Sequence, residues 1–167
     1  ASSDPERIGG RPLRFLIEGG FAGALYPVNT AGHAELQGQR AYGSVLDIAE
    51  PIDHAIVAVP LPAVEQAVAD CAKQGVRAVQ VFTAGFAEAG PEGAALQQRL
   101  VEIARAAGMR LIGPNSLGLI NPSIGLFATF STLLNGVRPH AGRIGLATQS
   151  GAFGSATYGA AALRGLG

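Results

Sequence analysis

Short apolar runs alternate with helical patterns over residues 55–112, and this alternation limits the fold more than any other feature of the chain. Three runs favour strands, at residues 55–59, 78–82 and 110–112. The first is apolar throughout, which is typical of a parallel strand that is covered on both faces. Strands that alternate with helices form βαβ units and a right-handed, doubly wound parallel sheet. The sequence therefore predicts an α/β fold.

Helical patterns fill the gaps between these strands. Apolar residues recur at the spacing of one helix face over residues 64–71 and again over residues 96–107. The first pattern ends at Gly75, and Gly108 stands just past the second, where a left-handed C-cap is expected. We therefore expect one helix in each gap.

Both ends of the chain add further elements. Near the start, a loop leads into a predicted helix with Pro12 in its first turn and Gly19 at its end. Residues 24–28 and 144–147 are short apolar runs that predict strands. No strand precedes the opening loop at Ala1, and the last strand and helix form half of a βαβ unit. We therefore expect a piece of a longer polypeptide.

A long segment with little periodicity predicts a domain boundary. Residues 113–142 are rich in Gly, Pro, Asn and Ser, and a connection of this length is uncommon inside one domain. We expect a first domain over residues 1–138, lacking its first strand, and the start of a truncated second domain over residues 139–167.

The composition excludes several classes of partner. The chain has 12 basic and 12 acidic residues, so it offers no electrostatic footprint for nucleic acid or an anionic membrane. Its apolar runs are far shorter than the roughly 20 residues that span a bilayer. The single cysteine, Cys71, lies on the apolar face of its helix and is expected to be buried. One cysteine also agrees with a reducing compartment, and a cytoplasmic location is expected.

Two segments favour phosphate binding at the start of a helix. The small residues from Ser2 to Gly10 let backbone N–H groups approach an anion, and the helix near Arg11 adds its positive end. At Ser150 a strand-to-helix turn offers a second site, with Ser150 as the cap and N–H groups from Gly151 onward facing a phosphate. An ordinary helix cap is the alternative at each position.

No catalytic residue and no metal site are predicted in this chain. The serine-hydrolase motif G-x-S-x-G fails at Thr148 and Ala152, and no histidine follows Ser150. None of the three histidines has metal-ligand spacing with another His, Cys or acid. Glu88 and Glu92 are expected to be solvated charges.

Seven motifs, in their order and spacing, carry a family resemblance: "YPVN", "AYGSVLDI", "DHAIVAVP", "TAGFAEAGPEG", "LIGPNSLGLINP", "LFATFS" and "RIGLATQSGAFG". They resemble the NDP-forming acyl-CoA synthetases and, more distantly, the α subunit of succinyl-CoA synthetase. The resemblance implies a Rossmann-like CoA-binding domain, followed by the first strand and helix of a flavodoxin-like ligase domain.

The resemblance also implies an activity. In that family acyl-CoA, ADP or GDP, and phosphate interconvert with acid, CoA and NTP through an acyl phosphate and a phosphohistidine. The implied cofactors are coenzyme A in this chain, and ATP or ADP with Mg through segments that lie outside it. The implied partners are CoA, a carboxylic acid substrate and an ATP-grasp domain or subunit, in an oligomer. None of the three histidines fits the active histidine, so this chain alone is expected to be inactive.

The family motifs assign ligand contacts to particular positions. The resemblance implies that CoA phosphate lies at the amino-terminal loop and that the rest of CoA follows the carboxyl ends of three strands. The residues after the first strand would border the nucleotide or the pantetheine, those after the second would line the pantetheine arm, and those after the third would lie near the thiol. The implied CoA contacts are Ser2, Ser3, Asp4, Gly9, Pro60, Leu61, Phe82, Thr83, Ala84, Asn115 and Ser116. The phosphate of the phosphohistidine is expected at Ser150, Gly151 and Ala152. The basic residue common in the family after "PVNP" is not evident at residues 30–33.

Two alternatives remain at this stage. One is a CoA-binding regulatory module, including one fused to a protein acetyltransferase. The other is an NAD-dependent oxidoreductase. The second is weakened because the G-x-G-x-x-G fingerprint is not present, and because Asn29 and Thr30 follow the predicted strand where Asp or Glu would hold the ribose.

Overall fold

The computed structural model describes residues 1–167 and contains four α-helices and seven β-strands, joined by loops and short 3-10 turns. In chain order the elements are α1 (Arg11–Glu18), β1 (Glu35–Leu36), β2 (Gln39–Arg40), β3 (His54–Val57), α2 (Val64–Lys73), β4 (Ala78–Val81), α3 (Pro91–Ala106), β5 (Arg110–Ile112), β6 (Gly118–Asn121), β7 (Leu126–Thr129) and α4 (Gly151–Leu163). The chain forms two compact units. The first comprises Ala1–Ser3 and Leu25–Ser116, and the second Asp4–Ala24 and Leu117–Gly167.

A parallel three-stranded sheet in the order β3-β4-β5 is the centre of the first unit. On the middle strand, Ala78 pairs with His54 on one side and with Arg110 on the other. Val79 and Gln80, which point to opposite faces of the sheet, are both fully buried. Both faces of β4 are therefore covered, as its position in a parallel sheet requires. The predicted α/β fold with a parallel sheet is confirmed.

Helices α2 and α3 bury the faces that the sequence spacing predicted, and they contact each other. Gly75 and Gly108 follow them in the left-handed conformation, with φ of +77° and +66°. The two predicted helices are therefore confirmed, with the second beginning earlier than its apolar pattern, at Pro91. Their buried residues pack into the core of the first unit: Val64, Val68, Cys71, Leu100 and Ala104.

The strand predicted at residues 24–28 is reduced to a single bridge. Val28 pairs in parallel with Tyr42, and Tyr42 N–H donates to the Pro27 carbonyl at 2.9 Å. Proline has no N–H to donate, so the ladder does not continue toward residue 24. The prediction of a full strand there is wrong.

A hairpin and the two helices α1 and α4 form the second unit. Strands β6 and β7 pair antiparallel over four residues each, and Phe127 of β7 packs in one cluster with Phe15 of α1 and Leu134. Residues 113–142 were predicted to carry little regular structure, so this hairpin is a correction. Its turn runs through a short 3-10 helix to Gly125 at φ +67°, which suits glycine.

The strand predicted at residues 144–147 is not formed. No other strand pairs with this run, and Ile144 and Leu146 are 66% and 48% exposed. A strand needs a neighbour that supplies backbone donors and acceptors, so an apolar run without one stays irregular. Helix α4 does follow, as predicted. The predicted boundary at residue 138 separates two domains of the related family, and the two compact units divide the chain differently. The boundary stays a prediction.

None of the four helices combines the length and the apolar character that crossing a membrane requires.

Candidate functional site

The segments that follow β3, β4 and β5 are joined by hydrogen bonds at the carboxyl edge of the sheet. The Thr83 hydroxyl donates to the Val59 carbonyl at 2.6 Å. The Asn115 N–H donates to the Thr83 carbonyl at 3.0 Å, and the Ser116 N–H donates to the Val81 carbonyl at 3.1 Å. Because open α/β sheets bind ligands outside the carboxyl ends of their strands, this edge is the candidate site.

Seven predicted contact residues follow these three strands, and they differ in exposure. Pro60, Ala84 and Asn115 are exposed, whereas Leu61, Thr83 and Ser116 are half-buried. Phe82 is only 5% exposed. A ligand along this edge therefore meets the exposed set first, and Phe82 supports the edge from within the unit. The seven residues are Pro60, Leu61, Phe82, Thr83, Ala84, Asn115 and Ser116.

The hydroxyl of Thr83 is already used as a donor. A hydroxyl group has one proton and two acceptor lone pairs, and the proton of Thr83 is directed at Val59. The oxygen therefore offers a ligand an acceptor rather than a donor. An amide N–H is a suitable partner for it.

The turn after β5 depends on a close backbone approach. Gly113 has φ of +91°, and a Cβ there would lie 2.8 Å from the Val81 carbonyl oxygen. Asn115 has φ of +53°, a left-handed conformation that asparagine tolerates better than most residues. This close approach explains why the apolar strand passes at once into Gly-Pro-Asn.

A carboxylate holds the loop between β4 and α3. Glu88 Oε1 accepts from the Gly85 N–H at 2.8 Å, and Gln97 Oε1 accepts from the Ala87 N–H at 3.3 Å. The N–H groups of Gly85, Glu88 itself and Phe86 lower the pKa of the Glu88 carboxyl. Glu88 is exposed, as expected of a solvated charge, but its carboxylate also binds the backbone, and the contact from Gln97 was not predicted. The signal for Glu88 was its position three residues after Gly85, the spacing of a capping acid.

The predicted phosphate loop is divided between the two units. In the first unit, Ser2 is half-buried and Ser3 is exposed. The carbonyl of the preceding Ala1 accepts from the Asn29 side-chain amide at 2.6 Å, and the side-chain oxygen Oδ1 of Asn29 accepts from the Ala31 N–H at 2.7 Å. Asn29, where an NAD-binding fold prefers an acid, is thus engaged with the protein backbone.

In the second unit, Asp4 organises its own loop. Its Oδ1 accepts from the Glu6 N–H at 2.9 Å, and its Oδ2 lies 3.5 Å from Arg7 Nε. A Cβ at Gly10 would lie 2.0 Å from the Asp4 carbonyl oxygen, so Gly10 is required for the loop to close. The carboxylate of Asp4 shapes the loop and would repel a phosphate. Gly9, half-buried, lies in the same loop.

The predicted cap at Ser150 is confirmed. Ser150 Oγ accepts from the Phe153 N–H at 3.2 Å, and the Ser150 carbonyl accepts from the Gly154 N–H at 2.9 Å. These two bonds leave the N–H groups of Gly151 and Ala152 as the first-turn donors of α4 without a partner in the chain. Ser150 and Ala152 are exposed.

Two titratable groups of the first unit lie away from this edge. His54 begins β3, at the opposite end of the sheet, and burial lowers its pKa. Cys71 is buried in α2, as predicted, and burial, reinforced by the charge of Asp70, raises the pKa of its thiol to about 11. Neither group belongs to the candidate site.

Comparison with known proteins defines the class. The CoA binding domain family matches residues 1–122, and the chain belongs to that family. The α subunit of ADP-forming acetate–CoA ligase I of Pyrococcus furiosus is 41% identical over 162 residues, which are 95% of this chain and 34% of that protein. The ADP-forming acetate–CoA ligase I of Archaeoglobus fulgidus is 43% identical over 153 residues, 92% of this chain and 21% of that protein.

A solved structure agrees with these relatives. The dinucleotide-forming acetyl-coenzyme A synthetase 1 of Ca. Korarchaeum cryptofilum, in complex with phosphate and ADP, matches with a TM-score of 0.84 at 35% identity. The match covers 100% of this chain and 34% of that one. The chain thus spans about a third of this structure and less of some relatives, and it corresponds to the CoA-binding portion of NDP-forming acyl-CoA ligases. The resemblance inferred from the sequence is confirmed.

Proposed function

We propose that the protein contributes the CoA-binding portion of an acid–CoA ligase. The complete enzyme forms acyl-CoA from a carboxylic acid, CoA and NTP through an acyl phosphate and a phosphohistidine, and releases NDP and phosphate. The family match over residues 1–122 and the ADP-forming acetate–CoA ligases among the relatives support this proposal. ATP or ADP and Mg are held by an ATP-grasp domain or subunit, in an oligomer.

The residues present at the carboxyl edge of the sheet fit the pantetheine arm of CoA. The single observation that carries the proposal is the set of hydrogen bonds through which Val59, Thr83 and Asn115 join the three strand ends. The arm is a narrow chain of methylene and amide groups. Exposed Pro60 and Ala84 offer it apolar contact, and the Thr83 oxygen offers an acceptor to an amide N–H.

The two predicted phosphate positions complete the proposal. Ser2, Ser3, Asp4 and Gly9 belong to the loop proposed for CoA phosphate, where backbone N–H groups rather than the Asp4 carboxylate would face the anion. Ser150, Gly151 and Ala152 are proposed to receive the phosphate of the phosphohistidine, because the two unpaired N–H groups there stand at the positive end of α4.

Two matched variants test the pantetheine site. Ala84→Glu places a bulky anion at the proposed pantetheine position. Ala106→Glu adds the same side chain and charge at an exposed position in the last turn of α3, close to the opposite edge of the sheet. Isothermal titration calorimetry would measure CoA and NAD binding to the wild type and to both variants.

The expected result is CoA binding without NAD binding in the wild type, at least tenfold weaker CoA binding in A84E, and unchanged binding in A106E. If the wild type binds no CoA, the proposed function is wrong. If A84E binds CoA as A106E does, CoA lies elsewhere.

A further inference from the structure

The loop from Phe82 to Gly90 contains three of the proposed pantetheine contacts, Phe82, Thr83 and Ala84, and its backbone is bent by three features. Gly85 and Gly90 both have positive φ, at +106° and +119°. Between them Phe86 inserts its side chain fully into the core. Thr83 and Ala84 therefore leave the sheet along a path that Gly85 and Phe86 determine.

The exposed carboxylate of Glu88 holds the backbone of this loop by a hydrogen bond. Its Oε1 accepts from the Gly85 N–H at 2.8 Å, directly after Ala84. The pKa of the carboxyl is lowered by the N–H groups of Gly85, Glu88 and Phe86, so the carboxylate is ionised at neutral pH. A concave group of backbone N–H groups of this kind favours an anion, and here the chain supplies that anion itself. Charge-assisted hydrogen bonds are the stronger class.

Helix α3 supports the same loop from its other side. The Gln97 side chain accepts from the Ala87 N–H at 3.3 Å. A Cβ at Gly93 would lie 2.0 Å from the Phe86 carbonyl oxygen, so the helix passes close beneath the loop. The Thr83 carbonyl, in turn, accepts from the Asn115 N–H at 3.0 Å. The loop between Thr83 and Phe86 is thus fixed at both ends, and Glu88 fixes its middle.

We propose that Glu88 is a positioning residue for CoA, whose carboxylate holds Ala84 and Gly85 in the conformation that receives the pantetheine arm. This inference rests on the proposed function. Glu88 reacts with nothing and transfers no proton in this role. It acts by ordering the loop before the ligand arrives, which reduces the ordering cost of binding.

Three variants separate this role from a general effect of charge or stability. Glu88→Ala removes the acceptor, and Glu88→Gln keeps an acceptor oxygen without the charge. Glu92→Ala removes an equal charge four residues away, from the exposed first turn of α3. Calorimetry would measure the binding of CoA and the binding of adenosine 3′,5′-bisphosphate. The bisphosphate carries the nucleotide part of CoA without the pantetheine arm. Thermal melts would confirm that each variant is folded at the titration temperature.

The expected result is about tenfold weaker CoA binding in E88A, a smaller loss of about threefold in E88Q, and no change in E92A. Binding of the bisphosphate should be equal in all four proteins, because only the pantetheine arm uses the ordered loop. Should E88A not fold, the comparison of E88Q with E92A decides the question.

Two outcomes would overturn the positioning role alone. One is CoA binding by E88A, or by E88Q if E88A does not fold, equal to that of E92A. The other is an equal loss for CoA and bisphosphate. A wild type that binds neither ligand would instead overturn the proposed function, and the positioning role with it.

Discussion

Replacing Gly93 with alanine should destabilise the first unit, although the same change usually stabilises a helix. In a helix interior, Gly→Ala contributes about 1 kcal/mol of stability. At Gly93, however, the new Cβ would lie 2.0 Å from the carbonyl oxygen of Phe86, whose side chain is fully buried. The contact involves backbone rather than the flexible end of a side chain, so α3 or the loop must move by about 1 Å. Overpacking of this kind costs about 1–3 kcal/mol.

A contact of 2.0 Å with a backbone atom should cost in the upper part of that range, about 2–3 kcal/mol, so subtracting the gain in helix propensity leaves a net loss of about 1–2 kcal/mol at Gly93. Gly159 of α4 provides the opposite case, because its Cβ would meet Leu133 at an ordinary 3.7 Å. Gly159→Ala should stabilise the second unit by about 0.5–1 kcal/mol.

Urea unfolding and thermal melts, both followed by circular dichroism, would measure the two variants beside the wild type. A thermal midpoint lower by about 2–8 °C is expected for G93A. If G93A is as stable as the wild type while G159A gains stability, helix propensity outweighs the contact with Phe86 and the loop tolerates the added Cβ.

Two further predictions concern buried titratable groups. Burial lowers the pKa of His54, so the imidazole takes up a proton at higher pH in the unfolded chain than in the folded chain. The contribution of neutral His54 to the free energy of unfolding should therefore be fully present above about pH 6.5 and be lost as the pH falls through the folded pKa. Urea midpoints between pH 7.5 and 5 should show this decline, and His54→Phe should show less of it; equal slopes would contradict the assignment. Cys71, with a thiol pKa raised to about 11, should react with a disulfide reagent at pH 8 on the order of 100-fold more slowly in the native protein than in urea. Equal rates would show that the thiol is accessible.

The elements that could be predicted carry their own boundaries in the sequence. The run at β5 was predicted at residues 110–112 and is observed there, because Gly108 precedes it and Gly113 ends it. Helix α2 likewise has one apolar face and a terminal Gly75. Local period and local stop signals agree at these positions, so no distant residue is needed to find them.

The errors arose where a distant partner decides the structure. The run at residues 144–147 is as apolar as a strand, yet no strand pairs with it. Strands β6 and β7 each have four residues, and Gly118 opens β6, so their alternation is too short to distinguish from a loop. Pairing between β6 and β7, rather than the character of either run, makes them strands.

In the candidate site, too, some features could be predicted from local sequence and others depend on the folded backbone. Family motifs pointed to Thr83 and Asn115, and the structure brings these two residues into direct contact. Their contacts with a ligand stay predictions. The sequence did not indicate that the Thr83 proton is used by Val59. For Glu88 it offered only the three-residue spacing from Gly85, which becomes a hydrogen bond because of the way the backbone turns after β4.

The second unit is built from two segments that lie far apart in the chain, and this affects how it folds during synthesis. The Arg11 side chain of α1 donates to the Phe130 carbonyl, 119 positions later in the chain. At 5–20 residues per second, α1 waits roughly 6–24 s for its partner hairpin to be synthesised. A helix of eight residues is not stable alone in water, so this segment exposes Phe15 throughout that interval. The segment around α1 is therefore open to chaperones and to misassociation until Phe127 emerges and covers Phe15.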